Sequence, residues 1–406
     1  MKKTVRYSTN FASLSRFYLR RKTKYAAEKT VPKRFLDLTH YAESVEKAER
    51  DEGIHTLKLV MYDVKFWKNE IPLLCEIATH IVGRGIAIEI IPNENKRQEY
   101  PLKKKKHANI TLFSGGLDSF LSALENPDSV LVHVEKAMAT RCFARKSKSF
   151  IAKFQGRRLY EEIPYVTRKM GEGLAISNSR ALVFICLGAM YVPVYDANEI
   201  IIGENGLLIY NPPIFEGAEM TRGLRPDLTV KIEKLLTDVC GKKITLRFPD
   251  KSMTKKEVLC KIESIVGKNK FPKILKITHS CSQQQPTKGV KGKMLMCGLC
   301  YACVVRRIST LSMGVDESNN YIHNPFNETI SSKERGKMHV ADLCRFVRLY
   351  KKNLLTAKQN EIIMQNKEVF DRYCKEIIDA LKAARELDML DERIAEKLSR
   401  IERILS

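Results

Sequence analysis

The segment Ile110-Thr111-Leu112-Phe113 runs directly into Ser114-Gly115-Gly116-Leu117-Asp118-Ser119, and few chain geometries accept that order of residues. A short apolar strand delivers the backbone to two glycines, whose missing side chains let N–H groups approach an anion closely. A helix expected over Ser119–Glu125 points its positive N-terminus at the same place. Ser114 and Ser119 add hydroxyl donors, and Leu117 completes the turn. Asp118 repels bare phosphate, so its carboxylate is expected to meet Mg2+ or to fix the loop. The Gly-Lys-Ser/Thr ending of the other common phosphate loop is absent. Such a turn belongs to a parallel sheet, which binds ligands beyond the carboxyl ends of its strands.

The flanking pattern extends that sheet. Strands are expected at Val130–Val134, Glu199–Ile202 and Ile244–Phe248, and helices at Leu174–Tyr191 and Thr254–Val266. Strands alternating with helices give an α/β fold whose parallel sheet is covered on both faces. Upstream, His55–Trp67 alternates like a strand, Ile71–Val82 repeats like a helix and Gly85–Ile91 reads as a strand, before Pro101 and Lys103–Lys106 mark a boundary. Downstream, Val340–Ala357, Gln359–Leu387 and Asp391–Leu405 read as helices, the second broken near Lys367. Three regions follow: a small N-terminal α/β region (1–105), the sheet domain (106–310) and a C-terminal helical region (311–406).

Charge narrows the partners. Of the net +24, residues 1–109 hold 23 Lys/Arg against 13 Asp/Glu and residues 110–310 hold 31 against 18, whereas the last 96 hold 17 against 16. The first two regions therefore attract polyanions, whether nucleotide, nucleic acid or an acidic protein. No apolar run approaches the roughly 18 residues of a membrane span. Met1-Lys2-Lys3-Thr4 leads into no apolar core. A cytoplasmic protein without a membrane partner is expected. Seven scattered cysteines (Cys75, Cys142, Cys186, Cys240, Cys260, Cys344 and Cys374) read as small buried hydrophobes.

The other four cysteines are different. Cys281 precedes Cys297-Gly-Leu-Cys300-Tyr-Ala-Cys303, a spacing that suits a tetrahedral metal, with Zn2+ the default and an iron–sulfur cluster the alternative. Gly298 lets the knuckle turn. With no open ligand position, the site reads as structural.

These motifs together carry a resemblance. Ser114–Ser119 resembles the signature of the N-type ATP pyrophosphatases, the PP-loop superfamily. Ser280-Cys281 followed by Cys-Gly-x-Cys-x-x-Cys-x-x-Arg, ending at Arg306, is similar to the 7-cyano-7-deazaguanine synthase (QueC) family. Met253-Thr254-Lys255-Lys256-Glu257, Ser179-Arg180, Gly203-Glu204-Asn205 and Arg225-Pro226-Asp227 resemble further segments of it. The likeness covers about residues 108–310. It departs at Thr221-Arg222-Gly223-Leu224, where the family has Tyr-Pro-Asp-Cys, and at Ala181, where it has asparagine. The long flanks resemble those of QueC-like proteins in bacterial anti-phage defence operons of the Qat type.

The resemblance implies an ATP- and Mg2+-dependent ligase that adenylates 7-carboxy-7-deazaguanine or a similar acid. The acyl group would pass to an amine, such as the N-terminus of a protein encoded in the same operon. It implies that Ser114, Gly115, Gly116, Leu117, Asp118 and Ser119 cradle ATP, with Lys255 near the phosphates and Arg180 and Arg225 on the carboxylate. Two other readings stand beside it: a tRNA-modifying PP-loop enzyme, favoured by the charge, and a nucleotide-sensing scaffold without catalysis.

Overall fold

The computed structural model describes residues 3–7, 31–94, 104–135, 138–156, 158–164, 177–213, 221–281, 295–326 and 340–405. Near the N-terminus, β1 (Lys3–Tyr7), α1 (Lys33–Arg50), β2 (Ile54–Met61), α2 (Val64–Val82) and β3 (Ala87–Pro92) form a parallel sheet in the order β1-β2-β3 with two helices. The strand expected to reach Trp67 stops at Met61. Asp63 caps α2 by accepting the Phe66 N–H (3.2 Å), and buried Asp37 accepts the Tyr62 and Asp63 N–H groups and Trp67 Nε1–H. Those bonds turn the chain into a helix at Val64, ahead of the start expected at Ile71.

The central sheet contains β4 (Ile110–Leu112), β5 (Val130–Glu135), β6 (Tyr160–Pro164), β7 (Glu199–Ile202) and β8 (Thr245–Arg247), all parallel in the order β6-β5-β4-β7-β8. Its helices include α3 (Leu117–Glu125), α4 (Met138–Gln155), α5 (Ser179–Ala189) and α6 (Pro226–Cys240). The chain steps outward from β4 to β6, then returns to β7 on the other side of β4. The sheet order therefore reverses between β4 and β7, which pair Ile110 with Ile200 and Leu112 with Ile202. In sheets of this kind a crevice opens at that reversal, beyond the strands' carboxyl ends. Of the expected helix Leu174–Tyr191, residues 179–189 form α5, and residues 174–176 lie outside the described residues.

Further along lie α7 (Lys255–Val266), α8 (Phe271–Ile277), α9 (Tyr301–Leu311), α10 (Val340–Lys351), α11 (Ala357–Met364), α12 (Lys367–Glu386) and α13 (Glu392–Leu405), and short helical turns form at Val192–Tyr195, Gly206–Tyr210 and Ser318–Asn320. The break expected near Lys367 falls at Gln365–Asn366, between α11 and α12.

Packing joins the regions. One apolar core runs from Leu38, Tyr41 and Trp67 through Val132, Leu182 and Cys186 to Ile200 and Leu235, so the N-terminal layer and the central sheet exclude water together. A second core gathers Val304 and Ile308 of α9 with Phe346, Phe370, Ile377 and Leu398 of the C-terminal helices. Glu49 of α1 accepts the Asn178 and Ser179 N–H groups (2.6 and 3.0 Å). A carboxylate from one region thus caps α5 in the next. Cys186, Cys344 and Cys374 are buried as expected, whereas Cys260 is exposed. No helix among the described residues is long and apolar enough to cross a membrane.

Candidate functional site

The Ser114–Ser119 turn sits at the carboxyl end of β4. Helix α3 begins at Leu117, two residues earlier than expected, because Gly116 is already its extended N-cap. That shift places Asp118 in the first turn, where a negative charge suits the helix dipole. The Gly116 N–H donates to Ser114 Oγ (3.2 Å), and the Ser119 hydroxyl donates to Gly116 O (3.1 Å) and meets Ser114 Oγ at 3.0 Å. Ser114 is exposed, whereas the Leu117 side chain is fully buried in apolar core. Leu117 therefore offers a ligand only its backbone N–H.

Gly115 has φ +80°, and a Cβ there would lie 2.6 Å from Ala144 Cα and 2.7 Å from Ala144 N on α4. Backbone cannot step aside like a flexible side chain. Gly115→Ala is expected to cost about 2–4 kcal/mol, combining left-handed strain with overpacking, and to lower the thermal unfolding midpoint. An unchanged midpoint would show that the loop does not need this glycine.

Asp118 is the hub of the charged groups. Its buried carboxylate accepts Asn205 Nδ2–H at Oδ1 (3.0 Å) and is paired with Lys255 at Oδ2. Asn205 lies just past β7, and its own side-chain oxygen accepts the Leu207 N–H. Lys255 opens α7, where Thr254 and Glu257 form a reciprocal capping box that fixes the lysine's backbone. The groups that hold Asp118 thus come from the far side of the sheet reversal.

Three further charges surround this pair. Burial and the nearby Asp118 carboxylate push the Glu204 carboxyl up to about 8. Asp250, which accepts the Ser122 hydroxyl (3.2 Å), is raised to about 6 by burial and then by Asp118. Arg180, at the start of α5, is lowered by burial, with Glu204 and Glu49 as its leading charged neighbours. The site therefore contains a buried cation, a guanidinium and a carboxyl that titrates near neutrality, all beside a turn of N–H donors. An anion at the turn would find both charge and hydrogen bonds.

Arg225 precedes α6, and its charged neighbours are Asp227, Arg222 and Glu361. Arg306 is fully buried, paired bidentately with Glu317 (2.8 and 2.7 Å), and donates to Leu275 O.

The four cysteines form one cluster that can hold a metal, with all sulfurs within 4.8 Å of one another. Cys297 and Cys303 sulfurs are 3.8 Å apart and those of Cys281 and Cys300 are 4.0 Å apart. A tetrahedron of thiolates about 2.3 Å from Zn2+ has sulfurs about 3.8 Å apart, so the donor set fits one such ion. The Cys300 N–H points at Cys297 Sγ (3.3 Å). Gly298, at φ +86°, allows the turn that its position against His323 O would deny a side chain. The knuckle also touches the loop: the His279 N–H, two residues before Cys281, donates to Gly115 O (3.2 Å).

From the opposite side the C-terminal helices grip the Lys255 segment. Arg372 of α12 pairs with Glu257 (2.6 Å) and donates to Ser252 O, and Asn366 donates to Lys251 O (3.0 Å). Thr254 donates its hydroxyl to Glu376, whose carboxyl burial pushes up to about 8. Because the folded value exceeds the ordinary 4.5, the stabilising contribution is complete at low pH and is lost as pH rises through about 8. Glu376→Gln is expected to flatten the fall in stability between pH 5 and 8 by up to about 1.4 kcal/mol per pH unit. Unfolding titrations across that range check it, and an unaltered slope would refute it.

Sequence reasoning noted Gly203-Glu204-Asn205 as a matching segment but gave Glu204 and Asn205 no role, and it passed over Asp250. The signal for the first two was that match and their position directly after the apolar strand Glu199–Ile202. Asp250 and Glu376 carried none, since only folding brings them near Ser122 and Thr254. The chain matches no family model and no curated protein.

Proposed function

We propose that the protein is an ATP-dependent, AMP-forming ligase of the PP-loop type, related to the 7-cyano-7-deazaguanine synthases. It would adenylate 7-carboxy-7-deazaguanine or a similar acid in the cytoplasm and transfer the acyl group to an amine. The observation that carries this reading is the Asp118–Lys255–Asn205 assembly beside a glycine turn at the sheet reversal.

The chemistry needs three things from the chain. The turn's N–H groups and the Ser114 and Ser119 hydroxyls hold the phosphates in line for attack. Lys255 offsets charge that develops on departing pyrophosphate, and Asp118 and Asn205 keep the lysine in place. Arg180 draws the substrate carboxylate to the α-phosphorus. One carboxylate oxygen bonds phosphorus and the bond to the bridging oxygen breaks, giving acyl-AMP and pyrophosphate. An amine then attacks the acyl carbon, AMP leaves with that oxygen, and in this reading the Glu204 carboxylate takes the amine's proton. Mg2+, when bound, would neutralise phosphate oxygens, and Asp118 is the residue of the loop that would hold it. Zn2+ in the four-cysteine knuckle would brace the loop without entering the reaction.

The long flanks favour a macromolecular amine, the N-terminus of a co-encoded defence protein, over ammonia. Incubation with ATP, Mg2+ and the deazaguanine acid should yield AMP and pyrophosphate, with a mass gain on that protein. ADP in place of AMP, or no ATP turnover, would sink the ligase reading.

A further inference from the structure

The charge that surrounds the phosphate loop is arranged as a surface of its own. Residues 136–158 contain eight Lys/Arg and no acid, and residues 264–315 contain nine Lys/Arg and no acid. The fold lays the helices of these two segments side by side: Ser147 Oγ of α4 donates to Ile277 O at the end of α8 (2.9 Å). Lys146, Lys153, Lys268, Lys270, Lys273 and Lys276 are all exposed on this face. None of the six forms an ion pair with a described residue, whereas Arg141 and Arg145 on its edge are taken up by Glu162.

Aromatic rings order the cations. Lys270 lies 4.9 Å above the Phe154 ring, Lys273 5.9 Å from Phe150 and Lys146 5.7 Å from Phe143. Such contacts hold an ammonium in place without neutralising it. The face abuts the phosphate loop, since Gly115 packs on Ala144 of α4 and Phe143 stacks on His279 (4.7 Å).

We infer that the α4–α8 face is a nucleic-acid-binding surface that contacts the phosphate backbone and leads to the loop at Ser114–Ser119. At 1.5 Å per residue α4 is about 27 Å long, enough to follow several successive phosphates. Unpaired, exposed ammonium groups in a row match a repeating charge that stays partly hydrated. An acidic protein would need directional pairing, for which this face presents lysines in preference to arginine forks. This inference stands whether or not the ligase reading does, because its test measures binding alone.

The test uses the full chain and a fluorescently labelled single-stranded RNA of mixed sequence, with anisotropy read from low to physiological salt. Each lost phosphate contact reduces the log–log salt slope by about 0.7. Replacing Lys146, Lys153, Lys270 and Lys273 by alanine should therefore reduce it by about 3 and weaken binding at low salt at least about thirtyfold. Lys104→Ala/Lys106→Ala, on exposed lysines outside this face, should leave both values unchanged. Absence of binding at low salt would overturn the inference, as would equal binding by the fourfold variant or equal loss in the control. Competition by polyglutamate as effective as by unlabelled RNA at equal charge would also overturn it, assigning the face to an acidic protein.

Discussion

Lys255→Met is expected to reduce AMP formation by a factor of about 100–1,000, the usual effect of removing one preorganised group that meets transition-state charge. The same change leaves Asp118 as a buried carboxylate held by Asn205 alone, and breaking a buried pair costs about 3–5 kcal/mol. Stability and catalysis can be separated. Pairing the change with Asp118→Asn removes the stranded charge, so the double variant should regain most of the lost stability and none of the activity. If the double variant regains both, the pair acts as a strut. If Lys255→Met alone keeps full activity, the cation has no part in pyrophosphate departure.

Cys300→Ser is expected to have the largest effect on stability. With Zn2+ bound, the wild-type chain should contain one ion, and the variant should contain none by elemental analysis. Structural zinc commonly contributes on the order of 10 kcal/mol to small domains. Here the knuckle links Cys281 to the start of α9, whose far face belongs to the C-terminal core. The expected loss is therefore about 5 kcal/mol or more, visible as a large fall in the unfolding midpoint. The His279 N–H to Gly115 O bond should loosen with it and weaken nucleotide binding. A zinc-free wild type of unchanged stability would contradict this role.

Local signals and their limits account for what could be read before the fold was seen. Four strands of the sheet domain were readable because each is short, apolar and flanked by turn residues, and because a glycine pair after Phe113 has few structural meanings; β6, with two glutamates in five residues, was not anticipated. Helix boundaries moved at their caps. The Asp63 side chain began α2 inside an alternating pattern, and the extended backbone of Gly116 let the helix start early enough to take in Asp118. β1, α1, α4, α6, α8 and α9 were not anticipated; α4, for one, carries its apolar and basic residues too closely interleaved to read as one face. At the site, Asp118 and the cysteines announced themselves by spacing. Glu204, Asp250, Glu376 and Glu49 did not, because their importance lies in contacts between segments up to 130 residues apart.

A ligase of this kind must bond a carboxylate oxygen of its substrate to the α-phosphorus of ATP. The direct measurement supplies 7-carboxy-7-deazaguanine labelled with 18O in its carboxylate, together with ATP, Mg2+ and the candidate amine, and weighs the AMP released. Adenylation predicts AMP carrying one heavy oxygen, with the label lost when Lys255 is replaced by methionine. AMP formed without label would mean that water attacks the nucleotide, and that the protein is not a ligase of this kind.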